Sequence, residues 1–194
     1  MLLLSFTTLL ALLPVATLGA TLGATLPQDA PRKGCSLIKY RFLLPNEMKA
    51  MLEMRDYFEN ILMPLLDQKC SSSIKLFHRN WKSAELPVAD RVTLARTELE
   101  LVTSMLKLPT TQPSFNQLRL QPLAFLTQAQ EDLKGCVGTE NPSHHSSRKL
   151  RHWLQKLEVA MKTETTRCLE ASVIPHIFQV TYDLNCAALQ EECS

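Results

Sequence analysis

Residues 168–194 read CLEASVIPHIFQVTYDLNCAALQEECS. Val173, Ile177, Val180 and Leu184 are spaced by three or four residues, so they fall on one stripe of an α-helix. Ile174, Phe178 and Tyr182 make a second apolar row displaced around the axis, more apolar surface than one buried face requires. Pro175 has no N–H for the carbonyl of Ala171, and its ring presses on that carbonyl, so a kink is expected there. The stretch reads as a bent last helix starting near Thr166 and carrying Cys168, Cys186 and Cys193.

The same periodicity runs back through the chain. From Ser147 to about Met161, Leu150, Trp153, Leu154, Leu157 and Met161 share a face, opposite Arg151, Gln155 and Glu158. In QPLAFLTQAQEDLKGC, Leu123, Leu126, Ala129 and Leu133 point inward and Gly135 is read as the helix stop, just before Cys136. From about Pro87 to Leu108, Val92, Ala95, Leu99, Val102 and Leu106 form a bundle seam, widened by Leu94, Leu101 and Leu108. The first segment, about Pro45 to Leu66, sets Met48, Met51, Leu52, Phe58, Ile61 and Leu62 on one stripe, with Asn46 as a candidate N-cap. A loop with Cys70, Phe77 and Trp81 follows it. The 194 residues include only five glycines, far too few for the turns of a β-sandwich or barrel. An all-α bundle of four or five longish helices is therefore expected.

Met1 to Ala20 carries no charge, holds LLL and LLALL, and ends in small residues, the layout of a secretory signal peptide. Residues 1–20 are read as the leader and 21–194 as a single helical domain. There are 21 Lys+Arg against 19 Asp+Glu, a net charge of +2, which gives no reason to expect a nucleic-acid partner. In an exported chain six cysteines imply three disulfides, with no pairing chosen by spacing alone. The one Asn-x-Ser/Thr match, at Asn141, is blocked by proline.

Enzyme signatures are missing: the sequence has no G-x-S-x-G, H-E-x-x-H, C-x-x-C or glycine-rich phosphate loop. His144, His145 and His152 lack a free thiolate neighbour, and a solvated loop is preferred to a zinc site. No cofactor or metal is expected. Arg148, Lys149, Arg151, His152 and Lys156 are either a solvated helix face, the preferred reading, or a patch for acidic glycans or an acidic partner. Burial between helices is preferred for Ile174 and Tyr182, while Phe178 is balanced between core and partner contact.

Five stretches, in order, carry a resemblance: GCSLIKYRFLLPNE, ELPVADRVTLARTELEL, QPLAFLTQAQEDLKGC, LRHWLQKLE and CLEASVIPHIFQVTYDLNC. From Cys35 to Cys193 the chain resembles an interferon lambda, a type III interferon among the class II helical cytokines. The resemblance implies an up-up-down-down, disulfide-stabilised helical cytokine bundle with short extra helices, and pairs Cys35 with Cys136, Cys70 with Cys168, and Cys186 with Cys193. It implies a secreted, extracellular, monomeric antiviral cytokine without enzymatic activity or membrane insertion. Such a ligand joins a specific high-affinity receptor chain to a second chain shared with interleukin-10-type cytokines, starting JAK-STAT signalling. The family's surface for the specific chain uses the first helix, the following loop and the last helix, and Pro45 and Phe178 match its receptor-binding positions. The rival readings are an interleukin-10-type class II cytokine and, in a different class, a small secreted disulfide-rich hydrolase.

Overall fold

In a computed structural model the chain divides into two units, Met1–Pro31 and Arg32–Ser194. The structure describes residues 35–65, 70, 75–137 and 145–194, all in the second unit. The leader, His144 and Asn141 lie outside the described residues. Those described form no strand; they are helices α1 (Pro45–Tyr57), α2 (Val88–Leu106), α3 (Pro113–Leu118), α4 (Leu120–Val137), α5 (Arg148–Thr163), α6 (Thr166–Val173) and α7 (Ile177–Leu189). No helix among them is long and apolar enough to cross a membrane.

α2 packs on α4, α6 and α7, and α1 packs on α3, α4 and α7. That central position explains the double apolar row of α2: Leu94, Ala95, Leu99, Val102 and Leu106 are wholly enclosed, and Leu101 nearly so. Val173, Ile177, Val180 and Leu184 are likewise buried, as the stripe required. α5 starts on Ser147, whose side chain accepts the N–H of Leu150. Ser147 in turn donates its own N–H to the buried Asp90 of α2 at 2.8 Å. The Trp153 indole donates to the carbonyl of Leu76 at 2.8 Å, holding the segment after Cys70 against α5.

Several local expectations are corrected. Leu44, not Asn46, is the N-cap of α1; it offers no side-chain bond, and Pro45 at N1 removes one of the first-turn amides that would lack an intrahelical acceptor. Along that helix Met51, Met54 and Phe58 are buried, whereas Leu52 and Ile61 are exposed. The chain passes at Phe58 into a π turn (Phe58–Leu62) and then a 3-10 turn (Met63–Leu65), and this change of period rotates Ile61 off the stripe. Gly135 does not stop α4, which continues to Val137, so Cys136 lies within the helix. Met161 and Tyr182 are exposed rather than packed.

The break at Pro175 is complete. α6 ends at Val173, a 3-10 turn spans Ile174–His176, and α7 starts at Ile177. In place of the lost helical bonds, the Nδ1–H of His176 donates to the carbonyl of Ser172 at 3.0 Å; a carbonyl can only accept, which fixes the tautomer.

Three disulfides fasten this bundle: Cys35–Cys136, Cys70–Cys168 and Cys186–Cys193. The first ties the segment before α1 to the end of α4, the second ties the segment after α1 to α6, and the third closes the tail.

A buried charge cluster joins the same elements. Arg79 pairs with Glu98 of α2 at 3.1 Å and with Asp183 of α7, and all three side chains are almost wholly enclosed. The guanidinium also lies 4.6 Å from the ring centre of Trp81 and 6.0 Å from that of Trp153. One cation cannot neutralise two carboxylates, so the enclosure is tolerable only if one of them holds a proton. Burial first, and the charge of Asp183 second, push the Glu98 carboxyl well above the usual carboxylate range.

The arrangement sets two expectations. A group whose folded pKa is raised gives up stability as pH rises from its unfolded value through the folded one, so Glu98 costs the fold at neutral pH what it does not cost in acid. Glu98→Gln should therefore melt higher than wild type near pH 7, by a margin that vanishes near pH 4 in thermal melts; equal margins at both values would place the proton elsewhere. Closing rings of 101 and 98 residues removes more unfolded-state entropy than closing one of 7. On that basis the long bridges contribute about 4.7 kcal/mol and the short one about 2.4 kcal/mol. Replacing Cys70 and Cys168 by serine should thus lower the urea midpoint more than replacing Cys186 and Cys193, and the reverse order would contradict it.

Candidate functional site

Phe178 belongs to the first turn of α7, immediately beyond the Pro175 break. It is half-buried, packed against the core on one side. The Arg55 guanidinium of α1 lies over its ring, 4.9 Å from the centre. A cation over an aromatic face contributes about 0.5–1 kcal/mol at such an exposed site, enough to bias the ring orientation without locking it. Arg55 is itself held by Asp56, at 2.7 and 3.1 Å, and Glu59 lies 3.8 Å away. Phe178 therefore has one face in the core and one under a charged, partly exposed lid, which places it between the two roles the sequence left open.

The break behind Phe178 is fixed from outside the helix. His176 stacks on Phe77 with ring centres 5.1 Å apart and planes 11° apart, while His78 meets it edge-on at 5.3 Å. Burial pushes the His176 imidazole below its ordinary value despite the bond to Ser172, so the neutral ring that packs on Phe77 is favoured. Pro175 supplies the missing N–H, and Phe77 and His176 supply the clamp that sets the direction of α7.

Pro45 is exposed at the start of α1. Arg55, which covers Phe178, is ten residues further on, about 15 Å along the helix axis. Pro45 and Phe178 are thus not neighbours; they mark two ends of a surface that α1 spans and α7 joins near its far end. Large exposed apolar side chains occur on the same elements: Phe42 and Leu44 before α1, Leu52 within it, Ile61, Met63 and Leu65 after it, and Tyr182 on α7. Large exposed apolar side chains are thus frequent on and around α1, while Leu120, Val159 and Met161 are exposed on other helices.

The sequence reading missed Arg55 as well as Arg79, Glu98 and Asp183. Glu98 and Asp183 had a usable signal, since each is an acid set among residues of an apolar stripe, Ala95 and Leu99 in α2 and Val180 and Leu184 in α7. Arg55 and Arg79 had none, because surface and loop arginines are ordinary.

All six cysteines are bridged. Among the described residues no group of three or more His, Cys, Asp or Glu side chains could hold a metal ion.

Comparison with known proteins gives one family throughout. The family described as Interleukin-28A matches residues 32–190. The chain is similar to Interferon lambda-3 of Gallus gallus, 53% identical over 180 residues that cover 93% of this chain and 95% of the relative. It is 32% identical to Interferon lambda-2 of Mus musculus over 193 residues, 95% of this chain and 97% of that one. With Interferon lambda-1 of Homo sapiens the identity is 31% over 176 residues, covering 88% and 86% respectively.

Proposed function

We propose, from the premise that this chain belongs to the interferon lambda family and is a type III interferon-like cytokine, that it acts by bridging two receptor ectodomains. The leader, residues 1–20, is removed on export, and residues 21–194 act outside the cell as a monomer. A specific high-affinity chain binds the face built from α1, the turns that follow it, and α7. A second chain, shared with interleukin-10-type cytokines, is then recruited, and receptor-associated kinases start JAK-STAT signalling toward antiviral genes. The work is binding, with no chemical step on the cytokine.

The observation that carries this reading is the state of Phe178: an aromatic ring half-exposed on a helix whose direction a proline break and a stacked histidine determine. A ring with two rotatable bonds, backed by core and aimed by a rigid element, loses little freedom on binding and makes a suitable anchor. Pro45 contributes differently, by presenting a rigid, exposed first turn of α1.

Phe178→Ala tests the assignment in the oxidised mature protein against the lambda-specific receptor ectodomain from the same species. Binding is expected to weaken by 2 kcal/mol or more, roughly thirtyfold in Kd. Removal of a half-buried ring should cost the fold less than the about 3–5 kcal/mol lost by a fully buried one. Unchanged affinity in a folded variant would remove Phe178 from the site; no wild-type binding at all would favour the interleukin-10-type reading.

A further inference from the structure

One strongly charged face plays no part in the receptor reading. Arg148, Arg151, His152 and Lys156 recur along α5 at i, i+3, i+4 and i+8, a single exposed stripe about 12 Å long at 1.5 Å per residue. Across from them the segment after Cys70 presents Lys75 and His78, both exposed. Between the two elements lie adjoining concavities of about 680 Å³ and about 320 Å³. Their described linings contain no acidic side chain, and both include Asn80, whose amide can donate and accept.

This charge is not compensated locally. Among the described residues Lys75, Arg148, Arg151 and Lys156 form no ion pair. Two nearby acids are engaged elsewhere, Glu85 with Lys149 at 2.5 Å and Glu158 with Lys162 at 2.6 Å, while Glu164 lines an adjoining cavity with Lys75 and Lys156 but forms no ion pair with either. The chain as a whole carries only +2, so these cations are concentrated on one face and not a sign of general basicity. Successive cations on this stripe are separated along the axis by less than a Debye length of about 8–10 Å, so they repel in the free protein and are relieved by a polyanion.

The groove also discriminates among polyanions. A nucleic acid would want an open aromatic platform, yet Arg79 already lies over the ring of Trp81 in this groove. An acidic protein surface would want buried aromatic or aliphatic anchors at its centre, whereas α5 offers here a row of cations flanked by the Gln155 and Asn80 amides. A row of separated cations with amide donors between them suits a chain of sugars bearing regularly spaced anionic groups. We propose that the groove between α5 and residues 75–81 binds a sulfated polysaccharide, with Arg148, Arg151 and Lys156 holding sulfate groups along the helix and Lys75 engaging the chain from the other wall.

Heparin is the probe, used with the oxidised mature protein. The groove variant Arg148→Gln/Arg151→Gln/Lys156→Gln is compared with Lys107→Gln/Lys134→Gln/Lys162→Gln, which loses the same charge at exposed residues that line neither concavity and lie outside α1 and α7. Heparin affinity near 150 mM salt should fall about tenfold or more in the first and less than about twofold in the second, because only groove cations release condensed counterions. Both variants should melt as wild type does and bind the receptor ectodomain undiminished, which separates this site from the receptor face. Equal losses in the two variants, wild-type retention no stronger on heparin than on a sulfonate resin, or competition by desulfated heparin as strong as by the native polymer would each overturn the proposal. Displacement by single-stranded RNA at lower concentration than heparin would assign the groove to nucleic acid and overturn it as well.

Discussion

Arg79 is the residue on which the arrangement of the site depends. Its guanidinium, nearly excluded from solvent, meets an acid from α2 and an acid from α7, and lies near the rings of Trp81 and Trp153. Taking the Arg79–Asp183 pair out of water beside a protonated Glu98 is costly, and removing Arg79 would leave the acids without their cation, so such a cluster tolerates few alternative arrangements. What it specifies is the path of the segment that follows α1. That segment places Leu76 at the Trp153 indole and Phe77 at the His176 ring. The second contact holds the Pro175 break, and the break aims α7. The placement of Phe178 thus traces back to an electrostatic constraint in the interior.

Legibility in the sequence followed the physics of each element. Helices whose burial is one-sided or central were readable from spacing alone: α2, α5 and α7 carry the stripes that periodicity requires, and apart from Met161 and Tyr182 the expected residues are buried or packed against the core. Readings failed where local geometry departs from a regular helix. The π turn at Phe58–Leu62 moves Ile61 to the surface, and Gly135 stays helical because a glycine without positive φ is no terminator. Tyr182 was assigned to the core on apolar character, but its row faces outward past the first turn of α7. The disulfide pairing came from the family resemblance and could not have come from spacing, since all six cysteines were equivalent on that evidence. The buried cluster went unread for another reason: its acids are visible as intruders in apolar stripes, but their cation comes from a loop more than 15 residues away from either.

Two surfaces of the bundle differ in physical character. The α1–α7 face offers apolar and aromatic side chains on rigid elements, suited to a compact protein interface with a few dominant contacts. The α5 groove offers unpaired cations and amides, suited to a long flexible polyanion held by many weak, salt-sensitive contacts. On the two proposals made above, their placement on different helices would let the protein be held on an anionic polymer while the α1–α7 face stays open.

The most direct measurement of the central claim is hydrogen–deuterium exchange of the oxidised mature protein, free and saturated with the lambda-specific receptor ectodomain. The account predicts new protection in α1, in residues 58–65 and in the first turns of α7, with α5 exchanging as in the free protein. Protection confined to α5 or α4, with α1 and α7 unchanged, would contradict it.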